Sequence, residues 1–78
     1  MKRIQVLGSG CAKCRSTVAL IERVAAARGA EIVLEKVEDM PTIASFGVLS
    51  TPAVVIDGTV VHAGGVPNET AVTGWFGG

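Results

Sequence analysis

The first half of the chain alternates a strand pattern, a long helical pattern and a second strand pattern, with short joins between them. A β-branched run over residues 3–7 is followed by apolar residues at helical spacing over residues 12–28. Gly29 suits the position just beyond a helix end, and a second strand is predicted over residues 31–37. Two strands joined by one helix form a parallel, right-handed βαβ unit. This pattern restricts the chain to an α/β fold.

The second half of the chain is typical of a β-hairpin flanked by helices. Asp57-Gly58 separates two β-branched runs, residues 53–56 and 59–62, which is a strong hairpin signal. Asp39 is a plausible N-cap for a short helix that ends at Phe46 before Gly47. Ile43 and Phe46 would pack inward. A last helix is predicted from Pro67 to about Phe76.

The predicted element order is therefore β-α-β-α-β-β-α, with one four-stranded mixed sheet covered by helices. We expect residues 1–78 to form a single domain, since 78 residues leave no room for two. A domain of this size buries only about 60% of its unfolded surface. The hydrophobic fraction of 49% is generous enough to supply its core.

The charge balance excludes several classes of function. Net charge is zero, with 7 basic and 7 acidic residues and no basic run, so neither nucleic acid nor an anionic membrane surface is indicated as a partner. Apolar runs such as residues 53–56 are far too short to span a bilayer. The N-terminal residues enter a strand pattern without the apolar stretch of a signal peptide, so we expect a cytoplasmic protein.

Cys11 and Cys14 are the two cysteines of the chain, and they lie at the predicted start of the first helix. Unpaired N–H groups and the macrodipole favour negative charge there, which lowers the pKa of a thiol and makes it nucleophilic. The second thiol, one turn on, is close enough to form a disulfide with the first. Two thiolates can also hold a soft monovalent ion such as Cu(I). The pair by itself therefore indicates either redox chemistry or metal binding.

This element order, with Cys-x-x-Cys at the first helix and Thr51-Pro52 before the third strand, resembles the minimal thioredoxin fold. It is most similar to the small stand-alone glutaredoxin-like thioredoxins of archaea and bacteria, also called redox-active disulfide proteins. The resemblance covers essentially the whole chain. It is carried by residues 10–14, 46–53, 57–58 and 64–65.

The resemblance implies different roles for the two thiols. Cys11 would be the exposed attacking thiol and Cys14 the more buried resolving thiol, with two electrons transferred and no metal or organic cofactor required. Pro52 would be a cis proline packed against the pair. Lys13 would place a positive charge near the thiolate, although a solvated helix residue is an equal interpretation.

The resemblance also implies a binding surface for partners. Thr51 would present its backbone to an extended segment of a disulfide-containing protein, and Ala12 and Lys13 would border that segment. Gly64-Gly65 is similar to a glutaredoxin segment that holds glutathione, but it is equally a bend that redirects the chain. The reductant would be a thioredoxin reductase or glutathione, and we expect a monomer. Four cations are candidates for the glutathione carboxylates: Lys2, Arg3, Lys13 and Arg15.

Several features depart from the redox interpretation or stay ambiguous. The first strand carries no buried carboxylate that could relay a proton. Pro52 could be a trans proline at a strand start, and His62 is interpreted as a surface residue. Trp75 and Phe76 are interpreted as packing for the last helix.

The alternative function is a soft-metal-binding module or metallochaperone that uses the same cysteine pair. Heavy-metal-associated domains also place such a pair after a first strand. They require a different element order after the first helix. Zinc needs about four ligands, whereas the chain supplies two thiols and the distant His62.

Overall fold

A computed structural model describes residues 2–8, 12–48 and 50–76. Their elements run in the predicted order: β1 (Lys2–Leu7), α1 (Ala12–Ala27), β2 (Ile32–Val37), α2 (Met40–Ser45), β3 (Ala53–Ile56), β4 (Thr59–Ala63) and α3 (Glu69–Trp75). In the part of the chain covered by these ranges, no helix has the length and apolar character needed to cross a membrane.

The four strands form one mixed sheet in the order β2-β1-β3-β4. β1 and β2 are parallel, as the βαβ pattern predicts, with Val6 opposite Lys36 and Leu7 opposite Val37. β3 pairs antiparallel with β1 on one side and with β4 on the other. The predicted mixed four-stranded sheet is confirmed, and the parallel pair places the carboxyl ends of β1 and β2 at the same edge.

Helices cover the two faces of the sheet and give the domain two apolar clusters. The larger cluster lies between the sheet, α1 and α3, and contains Ile4, Val6, Val18, Ile21, Val24, Val54 and Val72. The smaller cluster lies under α2, and contains Leu7, Ile43, Ala53 and Val55. Successive strand residues alternate between the clusters because side chains alternate across a strand. Trp75 and Phe76 pack against the larger cluster, as predicted.

The ends of the first two helices follow the sequence signals. Gly29 has φ +64°, and the N–H of Ala30 donates to the carbonyl of Ala25 at 2.9 Å, which is the Schellman arrangement that ends α1. Asp39 caps α2 by accepting from the backbone N–H of Thr42 at 3.0 Å. Ile43 is buried on the inner side of this helix, so the predicted packing is confirmed.

The predicted hairpin is also confirmed. Asp57 and Gly58 have φ values of +48° and +85°, the left-handed conformation that a tight primed turn requires at both central positions. β4 extends one residue further than predicted, to Ala63, and a bulge interrupts its pairing between Val54 and Val55.

The last helix begins later than predicted. Pro67 is buried before the helix, and Asn68 is the N-cap, with its side-chain oxygen accepting from the N–H of Ala71 at 2.7 Å. Asparagine is a favoured cap residue because its side chain satisfies an otherwise unpaired helical N–H. The prediction gave too much weight to proline as a helix start.

The Asp39 cap predicts a pH-dependent stability. The hydroxyl of Thr42 donates to the Asp39 carboxylate at 2.6 Å, and this bond, with the backbone bond, holds the pKa of Asp39 below its usual 3.8. Ionised Asp39 therefore stabilises the fold above pH 3.8, and the contribution disappears as the pH falls through the lowered value. We expect the Tm advantage of the native chain over Asp39→Asn to shrink below that pH. Thermal unfolding between pH 7 and pH 2 measures it, and a constant difference would contradict the assignment.

Candidate functional site

The candidate site lies where the carboxyl ends of β1 and β2 meet the start of α1. Gly8 follows β1, and its N–H donates to the carbonyl of Val37 at 2.9 Å, which holds the ends of the two strands together. Cys14 is in the first turn of α1 and is 6% exposed. Cys11 falls outside the described residues; in sequence it directly precedes Ala12, the first residue of α1.

The Cys14 sulfur lies directly against the backbone of Gly8. A Cβ atom placed on Gly8 would overlap the sulfur, and it would also lie 3.6 Å from the Cβ of Thr51. Gly8 does not have the positive φ of the five left-handed glycines that the structure describes. Glycine is therefore needed at this position because of its small size and not because of its backbone conformation. The Cys14 sulfur occupies the volume that a Cβ would need.

The loop before β3 reaches the same place. The Thr51–Pro52 peptide bond is cis, as the resemblance implies, and Pro52 is fully buried while Thr51 is exposed. The N–H of Gly64 donates to the carbonyl of Pro52 at 3.0 Å, and a Cβ on Gly64 would lie 3.4 Å from the Cβ of Ser50. The predicted residues Thr51, Pro52 and Gly64 therefore lie together, with Thr51 beside Gly8 and Cys14.

His62 is less exposed than its interpretation as a surface residue implies. Its ring is half-buried, and Nε2 donates to the carbonyl of Gly65 at 2.8 Å. Gly64 and Gly65 both have positive φ, at +81° and +83°, which confirms that they bend the chain after β4. The histidine thus holds the bend that contacts the Pro52 loop. A single histidine in a sequence carries no signal for such a contact.

The four cations predicted as candidates for a glutathione site lie near opposite ends of β1. Lys13 and Arg15 are exposed in the first turn of α1, beside Cys14. Lys2 and Arg3 lie at the other end of β1, and at about 3.3 Å per residue their Cα atoms are roughly 17 Å and 13 Å from that of Leu7. Their selection as candidates for a ligand near Cys14 was wrong. They are close to Cys11 in sequence, but the extended strand β1 separates them from the start of α1.

Arg3 has a different partner. Its Nε donates to the Glu35 carboxylate at 2.7 Å across the parallel strand pair, and this hydrogen bond and charge raise the pKa of Arg3 further. The pair is exposed, so its contribution to stability is small.

A cleft of about 340 Å³ opens beside Cys14 on the α1 face of the sheet. It is lined by Val6, Gly8, Cys14, Arg15, Val18, Lys36 and Glu38. Sequence reasoning missed Lys36 and Glu38 as site residues. The signal that could have found them is the parallel register, which places the end of β2 beside the end of β1.

The described residues bring together no group of three or more His, Cys, Asp or Glu side chains that could hold a metal ion. Of the cysteine pair, Cys14 is among these residues. The arrangement that the structure does describe is a buried thiol against a glycine backbone, an exposed Thr51 and a cleft with charged residues. This arrangement suits a thiol that reacts with a neighbouring sulfur.

Comparison with known proteins agrees with this geometry. Residues 2–77 match the family model described as "Thioredoxin domain". A protein named thioredoxin from Methanocaldococcus jannaschii is 32% identical over 65 residues, covering 83% of this chain and 74% of that protein. A protein named thioredoxin from Methanothermobacter thermautotrophicus is 26% identical over 72 residues, covering 92% of this chain and 94% of that protein. The chain belongs to the thioredoxin family, and its fold is the minimal α/β form with one mixed sheet and three helices.

Proposed function

We propose that this protein is a thiol-disulfide oxidoreductase that transfers two electrons to disulfides of partner proteins through Cys11 and Cys14. The observation that carries the proposal is the position of Cys14, buried in the first turn of α1 against Gly8 and close to Thr51. The family assignment and the Cys-x-x-Cys spacing support it. The electron carrier is the dithiol itself, so the reaction uses no additional cofactor.

The reaction proceeds in two exchange steps. The Cys11 thiolate attacks one sulfur of the substrate disulfide; a bond forms between them, and the other substrate sulfur leaves as a thiolate. Cys14 then loses its proton and attacks the Cys11 sulfur, which forms the Cys11–Cys14 disulfide and releases the second substrate thiolate. The protein loses two electrons, and the substrate gains two electrons and takes up two protons.

Burial gives Cys14 the second role. A thiol that is 6% exposed is closed to a bulky protein disulfide but remains accessible to a sulfur one helical turn away. The exposed Ala12, Lys13 and Thr51 lie around the thiol, and we infer that they contact an extended segment of the substrate protein.

The remaining properties follow from the same proposal. The oxidised protein would be reduced again by a thioredoxin reductase or by glutathione, and coupled assays with each reductant distinguish them. With glutathione, the cations near the thiol include Lys13, Arg15 and Lys36, and Gly64-Gly65 would approach the ligand. We propose that the protein acts as a cytoplasmic monomer.

The proposal predicts unequal reactivity of the two thiols. At neutral pH we expect iodoacetamide to alkylate Cys11 at least about tenfold faster than Cys14, because Cys14 is buried and Cys11 is the proposed thiolate nucleophile. Peptide mass spectrometry after timed quenching measures the two rates. Unfolding the chain in urea is the control, because it should bring the two rates together.

The serine variants test the order of the steps. Cys14→Ser should accumulate mixed disulfides with partner proteins, detected on non-reducing gels and reversed by dithiothreitol. Cys11→Ser is the matched control and should accumulate none. Equally slow alkylation of both thiols in the folded chain, together with tight Cu(I) binding, would contradict the proposal and favour the metal-binding module.

A further inference from the structure

The pairing of β3 with β4 ends beside the Pro52 loop. Ala53 lies opposite Ala63, and the N–H of Gly64 donates to the carbonyl of Pro52 at 3.0 Å, which continues the antiparallel pairing by one step. A further step would place the residue after Gly64 opposite Thr51. The chain bends at this point instead, so the pairing stops one residue short of Thr51.

A hydrogen bond from His62 holds that bend. Gly64 and Gly65 have φ values of +81° and +83°, which a β-strand does not use. Nε2 of His62 donates to the carbonyl of Gly65 at 2.8 Å, so the second glycine is tied back to β4 and does not follow the edge of β3. Because glycine has the widest range of backbone conformations, two glycines in succession need such an anchor to keep one shape.

The strand register sets the position of the His62 ring. His62 lies opposite Val54, so the two side chains point to the same face of the sheet, where Val54 is buried beneath α1 and α3. The ring is half-buried on that face. A packed ring has already lost rotamer freedom on folding, so its hydrogen bond to Gly65 adds little further entropy cost.

The bend leaves the backbone of Thr51 open. Between Thr51 and the other described residues the structure shows no backbone hydrogen bond, and Thr51 is exposed. It lies beside the thiol, since its Cβ is 3.6 Å from a Cβ placed on Gly8, against which the Cys14 sulfur packs. An open backbone edge can pair with an extended peptide, and main-chain hydrogen bonds then supply affinity.

We propose that His62 is a positioning residue for substrate binding: it anchors Gly65 and so keeps the bend away from Thr51, whose backbone stays available to the peptide segment around a substrate disulfide. This inference rests on the function proposed above. His62 takes no part in the exchange of sulfurs and acts through Gly65. Substrates that have no peptide backbone should therefore not depend on it.

Two disulfide probes separate peptide recognition from thiol chemistry. One is a short unstructured peptide whose single cysteine is joined to thionitrobenzoate, and the other is dithiobis-nitrobenzoate, which has no peptide backbone. The second-order rate constant of thionitrobenzoate release is measured with the reduced protein. For His62→Leu we expect the rate constant with the peptide to fall by about 3- to 10-fold, the worth of one hydrogen bond, and that with dithiobis-nitrobenzoate to stay within about twofold.

Two amide variants test whether the hydrogen bond is responsible. His62→Gln should keep most of the native rate constant with the peptide, because its amide nitrogen can take the place of Nε2. His62→Asn has a shorter side chain that does not reach Gly65, so it should lose as much as His62→Leu. The matched control is Val60→Ala, which truncates an exposed β4 side chain away from the bend. It should change neither rate constant.

Three results would overturn the assignment of His62. They are a native rate constant with the peptide in His62→Leu and His62→Asn, an equal loss with both probes, and a loss in His62→Gln as large as that in His62→Leu. Failure of the native chain to react with either probe would instead contradict the proposed oxidoreductase, so the two failures are distinguishable.

Discussion

Alanine at Gly8 is expected to slow resolution of the mixed disulfide by about 10- to 100-fold while leaving the chain folded. A Cβ at this position overlaps the Cys14 sulfur, so the sulfur must leave its place. Side-chain rotamers are restricted within a helix, and an alternative Cys14 rotamer turns the sulfur away from the start of α1. A displacement of about 1 Å in a reacting group can cost about 100-fold in rate.

Reaction with one equivalent of dithiobis-nitrobenzoate measures this effect in two phases. The first thionitrobenzoate is released when Cys11 attacks, and the second is released when Cys14 resolves the mixed disulfide. We expect the second release to slow at every pH, because the Gly8→Ala defect is one of position. Valine at Gly8 should add a stability loss of about 1–3 kcal/mol, because the larger side chain overpacks the site.

Gly74→Ala is the matched control for Gly8→Ala. Gly74 is exposed in α3, and a Cβ there meets nothing within 4 Å. Alanine at this position should leave both phases unchanged and stabilise the helix by about 0.5–1 kcal/mol. If Gly8→Ala resolves the mixed disulfide as fast as Gly74→Ala, the space at Gly8 does not set the position of the Cys14 sulfur.

Truncation of Ile4 to alanine is expected to cost about 2–5 kcal/mol of folding free energy. Ile4 is fully buried in β1, at the centre of the sheet, and it packs in the cluster beneath α1 and α3. A domain of 78 residues has a total stability of about 4–12 kcal/mol, at roughly 0.05–0.15 kcal/mol per residue. The variant should therefore lose a large share of its stability.

Urea unfolding followed by circular dichroism measures the Ile4 effect as a lower midpoint at an unchanged slope. Val33→Ala in β2 is the control, since Val33 is 43% exposed and should lose less than about 1 kcal/mol. Equal midpoints for the two variants would contradict the assignment of Ile4 to the core.

Local signals predicted the elements because the relevant forces act over a few residues. Gly29 ends α1 through its own φ, Asp39 caps α2 through its own side chain, and Asp57-Gly58 closes the hairpin through the conformation of those two residues. The start of α3 was misjudged where two local signals competed. The asparagine cap prevailed over the proline before it.

The surroundings of Cys14 could not be read in the same way. Lys36 and Glu38 are more than twenty residues from Cys14, and they reach the cleft only because β2 lies parallel to β1. In the sequence, nothing distinguishes Gly8 from any other glycine that follows a strand. Its contact with the Cys14 sulfur depends on how α1 packs over the strand. His62 bonds to the carbonyl of Gly65 because the chain bends after β4, and the sequence pattern does not give the direction of that bend.

By itself the sequence determined the order of the elements, the α/β fold and the place of the cysteine pair at the start of the first long helix. Each of these depends on periodicity, caps and turns, which neighbouring residues set. Only the tertiary structure decided that Cys14 is buried against Gly8, that the Pro52 loop lies beside it, and that Lys36 and Glu38 line the same cleft as Cys14. Those contacts join distant segments, and they depend on strand register and helix packing.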